Sequence, residues 1–415
     1  MKILFLVKFY QPFDRGGSEW STHDLAKLLA KKGHKVSILT PNYGAQPNQI
    51  IEGINIFRFP FIKKLKNPEE AITPWWTNNL FWFIYTTLYI WWFTAKNKPD
   101  IIHIHSTEFI PAAVIAGKIN KKKSIVTIRD YQILCNLGFC LWHKDLACQN
   151  IVEYLKKDFN FFYQNYSDKR YLLNYIYLQA AAIRGWFMQK IIKYFARQID
   201  FKIAVSQKVS QVFTKNKFLN LHVINNPILI DQIAVKAYPN RIIYIGKLSP
   251  GKGVSLLLDA FIEVQRNLPD LKLLIVGSGI LKSKLLTKVK KHKLSEKVQF
   301  KGQLNHDEVL NLVRKSSFAI VPSVWPEPLP RSAIEALLSG TPVITSDKGG
   351  TKEVIKKEYG MVCNPDVNSL KAAILKMYKD RLMFKKNILK DLNKLKRHYS
   401  TETADKYLSV YKKIL

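Results

Sequence analysis

Acidic side chains are scarce in this chain: 31 Asp and Glu stand against 65 Lys and Arg, a formal charge of +34 over 415 residues. A field of that size favours anionic partners, whether nucleic acid, phospholipid head groups or phosphorylated substrates, without choosing among them. Cysteine is scarce too. Four in this length make no disulfide framework and point to a reducing, cytoplasmic location. No small-residue cleavage site follows the opening MKILFLVKFYQP, which reads as a buried first strand rather than a signal peptide. No motif of a nucleic-acid-binding module appears, although basic and aromatic residues interleave as such proteins require. What is present is apolar patterning: 47% of residues are hydrophobic, enough for packed cores, and the length suits two domains.

Apolar runs at Ile3–Val7, Val36–Leu39, Ile101–His105, Ser124–Ile128 and Phe201–Val205 read as strands, with helical segments such as Ser18–Lys31 between them. After Asn225-Asn226-Pro227 the pattern restarts at Arg241–Ile245, Lys272–Val276, Val298–Phe300, Phe318–Val321 and Pro342–Thr345. Continuous apolar strands separated by helices imply parallel sheets covered on both faces. The expected fold class is therefore α/β, with two doubly wound Rossmann-like domains, residues 1–230 and 231–399, facing a central cleft. Residues 400–415 read as a terminal amphipathic helix with Ser400 or Thr401 as N-cap.

Between Ala71 and Ala95 there is no charged side chain, and Trp75, Trp76, Phe81, Trp82, Phe83, Trp91 and Trp92 crowd the span. As one helix, Pro74–Thr94 would run about 31 Å, the thickness of a bilayer core. It lies between strands of one sheet and is interrupted by polar residues, so an interfacial or buried helix is expected. Lys169–Ile199 lacks acidic residues and mixes Lys169, Arg170, Arg184, Lys190, Lys193 and Arg197 with Tyr and Trp. That composition suits either an anionic membrane surface or a solvated basic helix face.

The densest signal is Trp325–Ile344, WPEPLPRSAIEALLSGTPVI. Glu327 falls on a Pro-rich loop and Glu335 about one turn into a helix. Orphan amides there suit a diphosphate, and the two carboxylates can accept from two polyols, as in a nucleotide-sugar. Taken alone, E-x7-E also reads as two dipole-favoured surface charges. Gly16-Gly17-Ser18-Glu19 follows the first strand and opens a helix, a place for close backbone approach to phosphate or simply a turn. Ile245-Gly246-Lys247-Leu248 with Gly251-Lys252-Gly253 can set two cations at a helix start. His103 and His105 alternate with Ile and so share a face, with no third metal ligand nearby. Thr127-Ile128-Arg129-Asp130 follows the next strand. Cys135, Cys140 and Cys148 match no strong zinc spacing.

Together these segments resemble the retaining glycosyltransferases of family 4, which have the GT-B fold. Further matches are Ile275-Val276-Gly277-Ser278-Gly279, Gly302-Gln303-Leu304 and Gly349-Gly350 with Glu353. The resemblance implies a metal-independent enzyme without a cofactor that uses a UDP- or GDP-linked sugar. In it Gly16 and Gly17 would line the donor diphosphate, and Gly246, Lys247 and Lys252 would neutralise the leaving nucleotide. Gly277, Gly279, Gln303 and Leu304 would surround the base, Glu335 would hold the ribose and Glu327 the sugar hydroxyls. His105 would donate to the transferred sugar, and the terminal helix would pack back on the first domain. Two departures stand out. The family often has His where Arg129 stands, leaving Arg129 and Asp130 as acceptor-side residues. It also often has Gly at the position of Pro330, which leaves the amides of Leu329, Arg331 and Ser332 for the phosphate. No D-x-D triplet, the metal-diphosphate device of the other major glycosyltransferase fold, is present.

The acceptor expected from charge and aromatic content is a glycan or lipid-linked saccharide, used in polysaccharide biosynthesis. The expected location is peripheral, at the anionic inner face of the cell membrane. A GT-B epimerase, a phosphorylase and a basic nucleic-acid-binding protein are the competing readings.

Overall fold

The computed structural model describes residues 1–415 apart from 68–69, 71, 139–140, 142–144, 168–171 and 231–237. Ala71, Cys140, Lys169 and Arg170 therefore lie outside the described residues. The chain divides into two units, Met1–Pro227 with Ser400–Leu415, and Ile228–Tyr399.

In the first unit the strands are β1 (Lys2–Leu6), β2 (Lys35–Pro41), β3 (Asn48–Ile51), β4 (Ile54–Phe59), β5 (Ile101–Ile104), β6 (Lys123–Ile128), β7 (Phe201–Ala204) and β8 (Leu221–Val223). Their order across the sheet is β3-β4-β2-β1-β5-β6-β7-β8, parallel except where β3 runs antiparallel to β4. Phe5 pairs with Ile38 on one side and His103 on the other. Helices cover the central strands, so apolar side chains occupy both their faces: Leu4, Phe5, Ile101 and Ile102 are all fully buried. The β3–β4 hairpin turns at Glu52-Gly53, both with positive φ, the geometry of a two-residue turn matched to strand twist.

The second unit has β9 (Tyr238–Ile245), β10 (Lys272–Val276), β11 (Val298–Gly302), β12 (Ser316–Val321), β13 (Val343–Ser346) and β14 (Gly360–Cys363), ordered β11-β10-β9-β12-β13-β14 and all parallel. Its core packs the 254–264 and 367–397 helices on the sheet through Leu257, Phe261, Ile374 and Met377.

Two expectations about helices change. The apolar span is not one helix but two, Pro74–Thr77 and Leu80–Asn97. Asn79 separates them because its side chain accepts from the Trp82 amide and caps the second helix. No described helix is long and apolar enough to cross a membrane. One face of the Leu80–Asn97 helix is buried through Trp82, Phe83, Ile90 and Phe93. The opposite face exposes Leu80, Phe81, Ile84, Leu88, Trp91 and Trp92. Neither Ser400 nor Thr401 caps a helix. The 367–397 helix continues through a π turn at His398–Glu402 into Thr403–Ile414, so no new N-terminus is created there. That last helix enters the core of the first unit: Tyr407 and Tyr411 are fully buried beside Ile3, Phe5 and Ile125.

Candidate active site

The candidate residues of the second unit all follow strand C-termini. Gly246 follows β9, Gly277 β10, Gln303 β11 and Glu327 β12, four strands that are neighbours in the sheet. Backbone bonds tie the loops together: Gly246 N–H donates to Val276 O at 3.1 Å, Gly277 N–H to Gly302 O at 2.8 Å and Leu248 N–H to Ser278 O at 2.9 Å. Gly277 has φ 131°, and a Cβ there would collide with the Gly246 carbonyl, so only glycine permits this contact.

The loop after β12 is pinned from two sides. Val324 and Trp325 donate to Gly251 O at 3.0 and 3.1 Å, and Gly350 N–H donates to Glu327 O at 2.7 Å. Glu327 is buried, and its Oε1 accepts from Lys252 Nζ at 2.5 Å and Ser323 Oγ at 2.7 Å. Glu335 is buried in the second turn of the Arg331–Leu338 helix. Its Oε1 accepts from Arg331 Nε at 2.7 Å and binds His306 Nε2 at 2.8 Å. Burial pushes the Glu335 carboxyl up, but the Arg331 charge and the His306 and Arg331 hydrogen bonds outweigh it and hold it below its ordinary value. In both carboxylates Oε1 carries the internal bonds, and Oε2 accepts none among the described residues. Each therefore keeps one oxygen for a hydroxyl group.

Several residues sit differently from the sequence expectation. Lys252 is ion-paired with Glu327, while Lys247 is exposed. Arg331 folds back onto Glu335, so its guanidinium orients a carboxylate. Leu329 is buried, Ser332 and Leu304 are partly buried, and Gln303 is exposed, accepting from Ser278 Oγ at 3.2 Å. The Arg331–Leu338 helix has Pro330 as its N-cap residue and no side-chain cap; Ala333 N–H donates to Pro330 O at 3.1 Å, which leaves the Arg331 and Ser332 amides to other acceptors. His306 and Ser323 were missed. The only sequence signal for His306 was its place two residues after Leu304.

In the first unit, Gly16 is the N-cap of the Gly17–Lys31 helix and has no side chain to close the first-turn amides. His105 follows β5, next to β1 in the sheet, and Asp130 follows β6, on the other side of β5. Arg129 reaches across this edge, donating to Asn226 Oδ1 at 2.8 Å, Thr22 Oγ1 at 3.0 Å and His105 Nδ1 at 2.6 Å. Burial first, then His103 and Arg129, hold the His105 pKa well below its usual value, so the ring is neutral. A guanidinium only donates, so Nδ1 must accept and the ring proton resides on Nε2. That Nε2 is buried and has no hydrogen-bond partner among the described residues. His105 thus presents an N–H donor. His103 instead bonds Tyr411 OH at 2.7 Å and Thr127 Oγ1 at 2.8 Å, a structural role. Burial pushes the Asp130 carboxyl up to about 6 despite the Gln132 N–H that donates to it. Cys135 and Cys148 both donate to the buried Asp158 Oδ2, at 2.9 and 3.3 Å. Among the described residues no group of three or more His, Cys, Asp or Glu is arranged to hold a metal.

Residues 15–232 match the family model of Glycosyltransferase Family 4, and residues 226–397 that of Glycosyl transferases group 1. Glycogen synthase of Mycobacterium tuberculosis is 35% identical over 144 residues, 34% of this chain and 34% of the relative, so the match spans about a third of that protein. An uncharacterized glycosyltransferase of Methanocaldococcus jannaschii is 25% identical over 374 residues, 88% of this chain and 86% of the relative. The crystal structure of Anabaena HepE in complex with UDP and glucose shares the fold, with a TM-score of 0.69 at 17% identity and 100% of both chains covered.

Proposed function

The chain belongs to glycosyltransferase family 4, and from that premise we propose that it moves a sugar from a nucleoside-diphosphate sugar to a saccharide or lipid-linked saccharide, with retention of configuration. The observation that carries the reading is the pair of buried carboxylates, each fixed at Oε1 and open at Oε2, beside a helix N-terminus without a side-chain cap. Glu335 takes a ribose diol, Glu327 takes sugar hydroxyls, and the helix N-terminus takes the diphosphate between them. The UDP held by the Anabaena neighbour supports a uridine nucleotide over guanosine.

Lys247, Lys252 and the helix amides stabilise the charge that grows on the departing diphosphate, and need no metal for it. Lys252 moves from Glu327 toward that charge when the donor arrives. Transfer passes through an oxocarbenium-like state, with attack on the face the nucleotide leaves and a donor phosphate oxygen taking the acceptor proton. His105 donates Nε2–H to a sugar hydroxyl. Its neutrality makes that bond independent of pH across the physiological range.

The exposed apolar face of the Leu80–Asn97 helix supports a membrane-borne acceptor and a peripheral position on the inner face of the cell membrane. Polysaccharide or glycoconjugate synthesis at the cell surface is the setting this implies. The test is a thermal-shift screen with nucleoside diphosphates and their sugars in EDTA. Stabilisation by one nucleotide, lost in Lys252→Ala/Glu335→Ala, is expected. No shift with any nucleotide would refute the donor site.

A further inference from the structure

We propose that His23 is a positioning residue for sugar transfer, which fixes the backbone of the Gly16-Gly17 turn through a hydrogen bond to Tyr10. The inference rests on the proposed transfer reaction, in which that turn lines the donor diphosphate.

Glycine has the widest backbone freedom of any residue, so two in succession place their amides accurately only where the flanking chain is held. The loop between β1 and the Gly17–Lys31 helix is held at several points. Gln11 O accepts from Arg58 at 2.6 Å, Phe13 N–H donates to Tyr10 O at 3.0 Å, and Asp14 Oδ2 accepts from Trp20 Nε1 at 2.8 Å. One further tie joins the two ends of the loop. The Tyr10 hydroxyl lies 2.7 Å from His23 Nδ1, so the chain before the glycines is bound to the second turn of the helix after them. The Tyr10 ring is anchored in the core of the first unit with Leu25 and Ile56.

Glu52 decides which way that bond runs. His23 Nε2 lies 2.7 Å from Glu52 Oε2, and Lys27 Nζ donates to Glu52 Oε1 at 2.5 Å. The Lys27 hydrogen bond, helped by that of His23, outweighs desolvation and holds the Glu52 carboxyl below its ordinary value. The carboxylate is ionised and takes the proton-bearing Nε2 as its donor. In the neutral imidazole Nδ1 must then accept, and the Tyr10 phenol donates. Burial holds the Tyr10 pKa well above its usual value, so the phenol keeps its proton. Glu52 stands at the turn of the β3–β4 hairpin. The relay therefore runs from the hairpin, through the helix, to the start of the glycine loop. Without the Nδ1 acceptor a buried hydroxyl is left unsatisfied, and the loop must shift to bring it a partner.

The experiment measures release of UDP from UDP-glucose and of GDP from GDP-mannose by the full chain, with water standing in for the acceptor. Asn carries an oxygen where His carries Nδ1, and Gln carries a nitrogen where His carries Nε2. His23→Asn therefore keeps an acceptor for Tyr10, whereas His23→Gln keeps only the bond to Glu52. In His23→Gln and Tyr10→Phe, kcat should fall about 10–100-fold, the scale of a misplaced group, with KM changed less than about twofold. His23→Asn should recover to within about threefold of the unsubstituted chain. Amide hydrogen exchange over residues 11–17 should show the same order, faster in the Gln and Phe variants and restored in the Asn variant. Equal effects of Asn and Gln, or losses that follow Tm rather than the hydrogen bond, overturn the positioning role. Tyr10→Phe keeps the ring and answers even if the His23 variants misfold; kcat and exchange unchanged in it also overturn the role. A chain that binds nucleotide but turns over neither sugar is judged by exchange alone, and equal exchange in all variants overturns the inference. If the unsubstituted chain binds neither UDP nor GDP, the donor site is refuted and this inference falls with it.

Discussion

Lys252→Ala should destabilise the second unit more than Glu327→Ala, although the two residues share one ion pair. The asymmetry follows from burial: the Glu327 side chain is 7% exposed and that of Lys252 35%. Removing Lys252 leaves a buried carboxylate with only the Ser323 hydroxyl on Oε1. A charge-assisted bond contributes roughly 1.5–3 kcal/mol, and partial exposure of the lysine puts this one near the low end, about 1.5–2 kcal/mol. Removing Glu327 instead frees a lysine that can turn to water and leaves a neutral Ser323. That loss is about 1 kcal/mol. The double variant should resemble Glu327→Ala alone, a coupling of about 1.5–2 kcal/mol, the whole of the Lys252→Ala loss. For a unit of this size each kcal/mol moves Tm by about 2–4 °C, so scanning calorimetry resolves the order. Turnover should run the other way. Glu327→Ala, which takes a hydroxyl acceptor from the sugar, should cost about 10²–10³ in kcat. If Glu327→Ala is the more destabilising, or the two losses add without coupling, the buried carboxylate does not depend on Lys252 and the argument fails.

Three further outcomes are expected. His306→Ala removes one of two donors to Glu335 Oε1 and should weaken nucleoside diphosphate binding about 5–10-fold, read by calorimetry; unchanged affinity would detach His306 from the site. Asp130 has a folded pKa of about 6, raised by burial above its unfolded value, so its folded form binds the proton more tightly. Its contribution to stability therefore falls as pH rises from about 4 to 6. Asp130→Asn should raise Tm at pH 8 and lose that advantage as pH drops through this window; a pH-independent difference would contradict the burial effect. Phe81→Asp/Ile84→Asp, both exposed, should abolish vesicle binding by flotation while leaving nucleotide-induced thermal shifts intact.

The central strands were legible because burial on both faces writes them as continuous apolar runs. β3, β4, β8 and β14 were not read. β3, β8 and β14 are strands of three or four residues at the sheet edges with partly exposed patterns, β4 alternates buried and half-buried residues instead of running continuously apolar, and the Glu52-Gly53 turn was the one local cue for the hairpin. The break at Asn79 was hidden in the apolar run because capping is a property of one side chain and periodicity averages over it. At the site, Glu327, Glu335 and Lys252 could be picked out as chemistry-bearing types beside glycine turns. Their pairing could not. That Lys252 meets Glu327 depends on loop geometry fixed by Gly251 and Gly350, whereas Arg331 and Glu335 are i, i+4 neighbours on one helix. His306 lacked any spacing relation to Glu335, 29 residues away, and only the adjacency of β11 to the rest of the sheet brings it there.

The return of residues 403–414 into the first core has a consequence for synthesis. Tyr411 bonds His103, and Tyr407 packs against the same ring. A ribosome delivers these tyrosines only after the whole intervening unit has emerged. Domains commonly fold in the order they are made, at about 5–20 residues per second, which here means tens of seconds during which the His103 side of the first sheet waits uncovered. The later-made unit can complete its core first. Released chains that end at Tyr399, which keep the Ile374 and Met377 core contacts, should then hold a protease-resistant second unit and a first unit that is still open.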